Sequence, residues 1–181
     1  DSKAVARARA VGAIGDMLPP LQRLALSEML RGQWATATAS AVEALSLARE
    51  TGQHGLSSLP LCWLALLAAY RGDTTELRSH LDAAGAVLPQ HPMVVASESL
   101  LWARAVSEAA AGDVNEAMEH LGRVTSQTVS RMCSLDRIEI AVQAGHTSEA
   151  QAWLGDLTGF ASLTGAPWAL ARAAHCRALL A

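Results

Sequence analysis

The sequence predicts an all-α fold, a right-handed superhelix of about ten helices stacked as helix-turn-helix repeats (an α/α solenoid). Three observations predict it. Glycines return at positions 32, 72, 112 and 145, that is 40, 40 and 33 residues apart. Apolar residues keep fixed offsets on both sides of each glycine. No strand-like alternation bounded by hairpin turns occurs anywhere in the chain. A helix pair repeated at fixed spacing buries its apolar face by stacking on its neighbours, which is why the spacing implies an array.

The elements follow in order. A first helix, 3–15, begins almost at the start of the chain. Helix 18–31 carries Gln22, Ala25 and Met29 at ten, seven and three residues before Gly32. Helix 33–50 answers with Ala37, Ala41 and Ala44 at five, nine and twelve residues after it, and Thr51-Gly52 ends it. Steps of three and four keep such residues on one helix face. Around Gly72 the same offsets give Cys62, Ala65 and Ala69 in helix 57–71, then Leu77, Leu81 and Ala84 in helix 73–87. Around Gly112 they give Trp102, Ala105 and Ala109 in helix 92–111, then Ala117, Leu121 and Val124 in helix 113–125. Around Gly145 they give Leu135, Ile138 and Val142 in helix 130–144, then Ala150, Leu154 and Leu157 in helix 147–163. Thr164-Gly165 stops that helix, and Pro167 opens the last, 167–181, at a position where proline is well tolerated. The many alanines let helices approach closely.

The turns have their own chemistry. Asp73 with Glu76, and Asp113 with Glu116, read as capping boxes, in which the aspartate accepts from free amides and the glutamate reaches back. Glu149 keeps this offset behind His146. Glycine before each start suits the left-handed residue that closes the preceding helix.

Composition narrows the function classes. The chain has 181 residues, 51% of them hydrophobic, enough for a substantial core in one domain spanning 1–181. Its single lysine, thirteen arginines and net charge of −3 form no basic block, which argues against direct nucleic-acid contact by this segment. Cys62, Cys133 and Cys176 make no C-x-x-C pair and read as buried, reduced thiols inside helices in a cytoplasmic protein. Leu59 to Tyr70 is apolar but too short to span a bilayer, so no membrane role is expected. The uncapped apolar end at Arg177–Ala181 suggests a piece of a longer protein.

Chemistry-bearing motifs are sparse. No P-loop, G-x-S-x-G, H-E-x-x-H or G-x-G-x-x-G is present, and the expectation is a non-enzymatic domain without cofactor or metal. His80 and His120 share one repeat offset, each four residues after a glutamate (Glu76, Glu116), and read as surface helix pairs rather than metal ligands. The stronger candidate is the face of each pre-glycine helix opposite its apolar stripe. There Leu64, Leu67, Arg71, Arg104 and Arg137, with Trp63 on the flank, form a set of leucines and arginines. Such a face suits an amphipathic or anionic ligand, arginine forking onto carboxylate or phosphate.

The runs Glu43–Gln53, Leu64–Asp73, Ala144–Leu154 and Thr164–Ala171 resemble the tetratricopeptide-like helical-repeat region of the large ATP-binding LuxR-type transcriptional regulators, which have a MalT-like layout. The resemblance implies a sensor domain that receives a small-molecule effector or a protein or peptide partner in its groove, between an ATPase and a DNA-binding domain elsewhere in the full protein. The alternatives are a scaffold gripping a peptide, or a helical accessory region of a signalling enzyme.

Overall fold

The computed structural model describes residues 2–10 and 12–181. Among the described residues there are eleven α-helices and no strand, so the chain is all-α. The helices are α1 (Ser2–Ala10), α2 (Leu18–Leu30), α3 (Trp34–Glu50), α4 (Ser58–Arg71), α5 (Thr74–Val87), α6 (Val94–Ala111), α7 (Val114–Gly122), α8 (Gln127–Met132), α9 (Ser134–Gln143), α10 (Thr147–Thr164) and α11 (Pro167–Leu179). Single 3-10 turns, Ile14–Met17 and His54–Ser57, lead into α2 and α4.

Two expected helices differ. The first ends at Ala10, and Gly12 follows with φ +71°, a conformation that no helix interior adopts. The segment expected as 130–144 is two helices, α8 and α9. Ser126 starts α8 early by accepting from the Val129 amide at 3.4 Å, and Cys133 (φ −89°, ψ 9°) breaks the path before α9. Cys133 therefore sits at a junction rather than inside a helix. All three thiols are buried and free.

One closure recurs at five glycines. At Gly32, Gly52, Gly72, Gly112 and Gly145, φ lies between +68° and +95°. The residue after each donates its amide to the carbonyl five positions earlier: Gln33 to Glu28, Gln53 to Ala48, Asp73 to Ala68, Asp113 to Glu108 and His146 to Ala141, all at 2.8–3.0 Å. This is the Schellman arrangement, which satisfies carbonyls that a helix end leaves open. At four of the five turns the same residue's carbonyl then accepts the first hydrogen bond of the next helix to span four residues, from the amides of Ala37, Leu77, Ala117 and Ala150. One residue thus ends one helix with its N–H and begins another with its C=O.

This double use corrects the capping boxes. Asp73 does accept from the Glu76 amide, at 2.9 Å. The Asp73 amide, however, is already taken by Ala68, and the Glu76 carboxylate faces His80 at 3.2 Å instead. Asp113 makes no side-chain cap at all. Its ψ is 57° against 86° at Asp73. That carboxylate lies with those of Glu108 and Glu116, their oxygens within 4.8 Å of one another.

The chain divides into two compact units, 1–103 and 104–181, with the division inside α6. In the first unit α2 packs on α3, α3 on α4, and α4 on α5. Every residue of α4 from Leu61 to Ala69 is buried, so this helix is apolar all round because it is covered all round. A contact repeats at forty-residue spacing. Gln22 donates its side-chain amide to the Leu56 carbonyl at 2.6 Å, and Cys62 donates its thiol to the Ala96 carbonyl at 3.3 Å.

In the second unit α10 packs against α9 and α11, and α9 also meets α7 and α11. Ile138, Ala141, Ala150, Leu157, Ala161, Ala169, Ala173 and Cys176 form its core. Arginines lie over aromatic rings around that core: Arg137 over Trp153 at 4.0 Å, Arg131 over Phe160 at 4.4 Å, and Arg172 over Trp168 at 5.7 Å. Each such contact attracts the guanidinium to the ring's negative face. The apolar stripes expected from the glycine offsets are buried at most positions. Leu135, Ala109, Val142 and Leu154 are only half-buried.

Candidate functional site

A cleft of about 290 Å³ opens in the first unit where α3, α4 and α5 converge. Each helix supplies residues one turn apart: Thr38 and Val42 from α3, Leu64, Ala68 and Arg71 from α4, and Glu76 and His80 from α5, with Asp73 at the turn. Spacing of three or four residues puts such side chains on one helix face, so three short stripes meet here.

Arg71 forms the cationic edge. Its guanidinium donates to Thr38 Oγ1 at 2.7 Å and reaches the Trp34 carbonyl at 3.5 Å. Thr38 in turn donates to the same carbonyl at 2.8 Å, which fixes its hydroxyl as an acceptor toward Arg71. Beside them the rings of Trp34 and Tyr70 stack, 5.7 Å apart and 12° from parallel. A guanidinium has five N–H donors, so Arg71 keeps donors for a bound group.

The acidic edge is Asp73, Glu76 and His80. Glu76 Oε2 and His80 Nε2 are 3.2 Å apart, the i,i+4 pair read from the sequence. Partial burial pushes the His80 imidazole below its ordinary range, and Arg49 pushes the same way, against the nearby carboxylates of Glu76 and Asp73. His80 is consequently a neutral hydrogen-bonding group near neutral pH. Between these edges Val42, Leu64 and Ala68 make an apolar floor. The cleft can take a carboxylate at Arg71, an amine at Asp73 or Glu76, and an apolar body between.

The other residues expected in the ligand face are placed differently. Trp63 and Leu67 are buried, Trp63 to 2% exposure, so its ring offers no free face for stacking. Arg104 is exposed and belongs to the second unit. Arg137, also in the second unit, is buried, donates to Ser130 Oγ and lies over Trp153. Leu64 and Arg71 are the two that the cleft brings together. His120, the repeat counterpart of His80, has a buried Nδ1 without a hydrogen-bond partner.

Two histidines without a role in the sequence pattern, His54 and His91, line a further pair of clefts in the first unit. The repeat does not mark them, since Ile14 and Thr51 stand forty residues earlier.

No helix among the described residues is long and apolar enough to cross a membrane. Comparison of the chain with family models, with curated proteins and with solved structures gives no match.

Proposed function

We propose that the chain is a non-enzymatic binding domain, a right-handed superhelix of tetratricopeptide-like helix pairs that takes a small effector or a peptide in the Arg71 cleft. In this reading it is the sensor arm of a cytoplasmic LuxR-type regulator, flanked in the full protein by an ATPase and a DNA-binding domain, and it contacts no nucleic acid itself. The observation that carries the reading is the bond from Gln22 to Leu56 repeated forty residues on as Cys62 to Ala96. Repeated packing of this kind is what stacked helix pairs require. The cleft supports it further, because an apolar floor with a few convergent polar groups is the usual form of a ligand site. An effector acts there by binding one arrangement of the helices more tightly than another.

Selection of peptides from a random displayed library on the wild-type chain tests the cleft. The selected peptides should carry a carboxylate beside an apolar residue and lose binding to Arg71→Glu. Peptides that bind both proteins equally would place recognition elsewhere. The coding sequence on either side tests the context. A P-loop upstream with a helix-turn-helix downstream fits the regulator, further helix pairs alone make the domain a scaffold, and a catalytic domain makes it an accessory region.

A further inference from the structure

We propose that the first unit holds a second ligand site, for a small amphipathic anion, between the turn 52–57 and the loop 88–93. Two clefts of about 700 and about 270 Å³ adjoin there and share His54, Gln90 and His91 as walls. The larger already falls in the range of small-molecule sites, roughly 300–1,000 Å³.

Charge decides the class of ligand. Among the described residues, no carboxylate lines either cleft, whereas the Arg71 cleft holds two. Arg49 lines the smaller one and makes no salt bridge among the described residues. Its neighbour Glu50 is engaged by Ser46 Oγ at 2.7 Å. One guanidinium, two imidazoles and the Gln90 amide therefore line the clefts with no carboxylate among them, and guanidinium in particular pairs with carboxylate or phosphate oxygens. Leu61 and Val87 in the smaller cleft, with Leu56 in the larger, offer an apolar wall to the body of the molecule.

One wall of the site packs closely on the neighbouring turn. The His91 ring lies against Gly55 so closely that a Cβ there would stand 3.1 Å from Cγ and 3.2 Å from Nδ1. Forty residues earlier, Gly15 receives the Gln53 side-chain amide in the same way, at 3.3 Å. A glycine cradle thus recurs in the repeat, filled by an amide in the first copy and by an imidazole in the second. A ring packed on the Gly55 turn has less freedom to lose when a ligand arrives than one standing in open solvent.

The test is a titration of the chain with octanoate and with octyl phosphate, read from histidine ring signals by NMR, with octanol as the uncharged control. Either anion should move the His54 and His91 signals, assigned from His54→Gln and His91→Gln, and the arm that binds more tightly tells carboxylate from phosphate. Arg49→Gln, at an exposed position, should weaken binding about fivefold, the effect of one exposed charge pair. Gly55→Ala should weaken it too, by displacing His91. Octanol binding as tightly as the anions, an unchanged affinity in Arg49→Gln, or shifts confined to His80 in the Arg71 cleft would overturn the proposal. Arg71→Gln removes the cation of the first cleft only, so His54 and His91 shifts that persist in it belong to the second site, and failure of one site is distinguishable from failure of the other.

Discussion

Gln22 and Cys62 hold the same position in successive repeats, and each gives its side-chain proton to a carbonyl 34 residues further along the chain. The two bonds differ in strength, because an amide N–H is a strong donor and a thiol a weak one. Gln22 is buried, so removing its donor leaves the Leu56 carbonyl without this partner in a place water reaches poorly. Gln22→Met, which keeps the volume, should cost about 1–2 kcal/mol in urea unfolding. Unchanged stability would show that the repeated bond does not hold the helix pairs together.

The glycines make opposite predictions according to backbone. Gly72 has φ +71°, where an L side chain is strained, so Gly72→Ala should cost about 1 kcal/mol although open space surrounds the added carbon. Gly85 lies within α5 at an ordinary helical φ, also with nothing within 4 Å of an added Cβ. Gly85→Ala should stabilise by roughly 0.5–1 kcal/mol. Thermal melts of the two variants should move in opposite directions.

These two glycines also mark what the sequence could say. The turn at Gly72 was legible because a helix end needs a left-handed residue and the same chemistry recurs every repeat. The stripe residues were legible because side-chain period is fixed by helix geometry. Capping was only half legible: aspartate and glutamate at the right spacing do not reveal that the Asp73 amide is already spent on Ala68. Site residues were the least legible. Arg71 and Arg137 share a helix-face pattern in sequence, yet one edges a cleft and the other is buried under Trp153. Nothing local to either arginine distinguishes them, since the ring that covers Arg137 comes from another helix.

That difference is testable. Arg137→Ala removes a buried contact to Trp153 and a hydrogen bond to Ser130, and should cost about 2 kcal/mol or more. Arg104→Ala, at an exposed position, should stay within about 0.5 kcal/mol. Equal effects in chemical denaturation would mean that the ring contact contributes nothing.

Thiol accessibility follows from burial. Burial raises the Cys62 and Cys133 thiols to about 12, far from the thiolate form that reacts. Cys176 is shifted up for the same reason. In the native chain at mildly alkaline pH, Ellman's reagent should therefore modify none of the three cysteines quickly, and all three once urea unfolds the protein. Rapid reaction of Cys62 in the native state would show that α4 opens readily.

His80 gives the protein a pH dependence whose sign is fixed. Burial holds its folded-state value below the ordinary 6.5, with Arg49 adding to the effect and Glu76 and Asp73 opposing it. The unfolded chain therefore binds the proton first as pH falls. Stability on this account is undiminished above the ordinary histidine value, and declines as pH drops from there toward the folded-state value. Unfolding curves at about pH 7.5 and about pH 5.5 bracket the ordinary histidine range. The loss between them should be smaller in His80→Gln than in the wild type. An equal loss in both would assign the acid sensitivity to other groups and would mean that the Glu76 carboxylate fully compensates the burial of the ring.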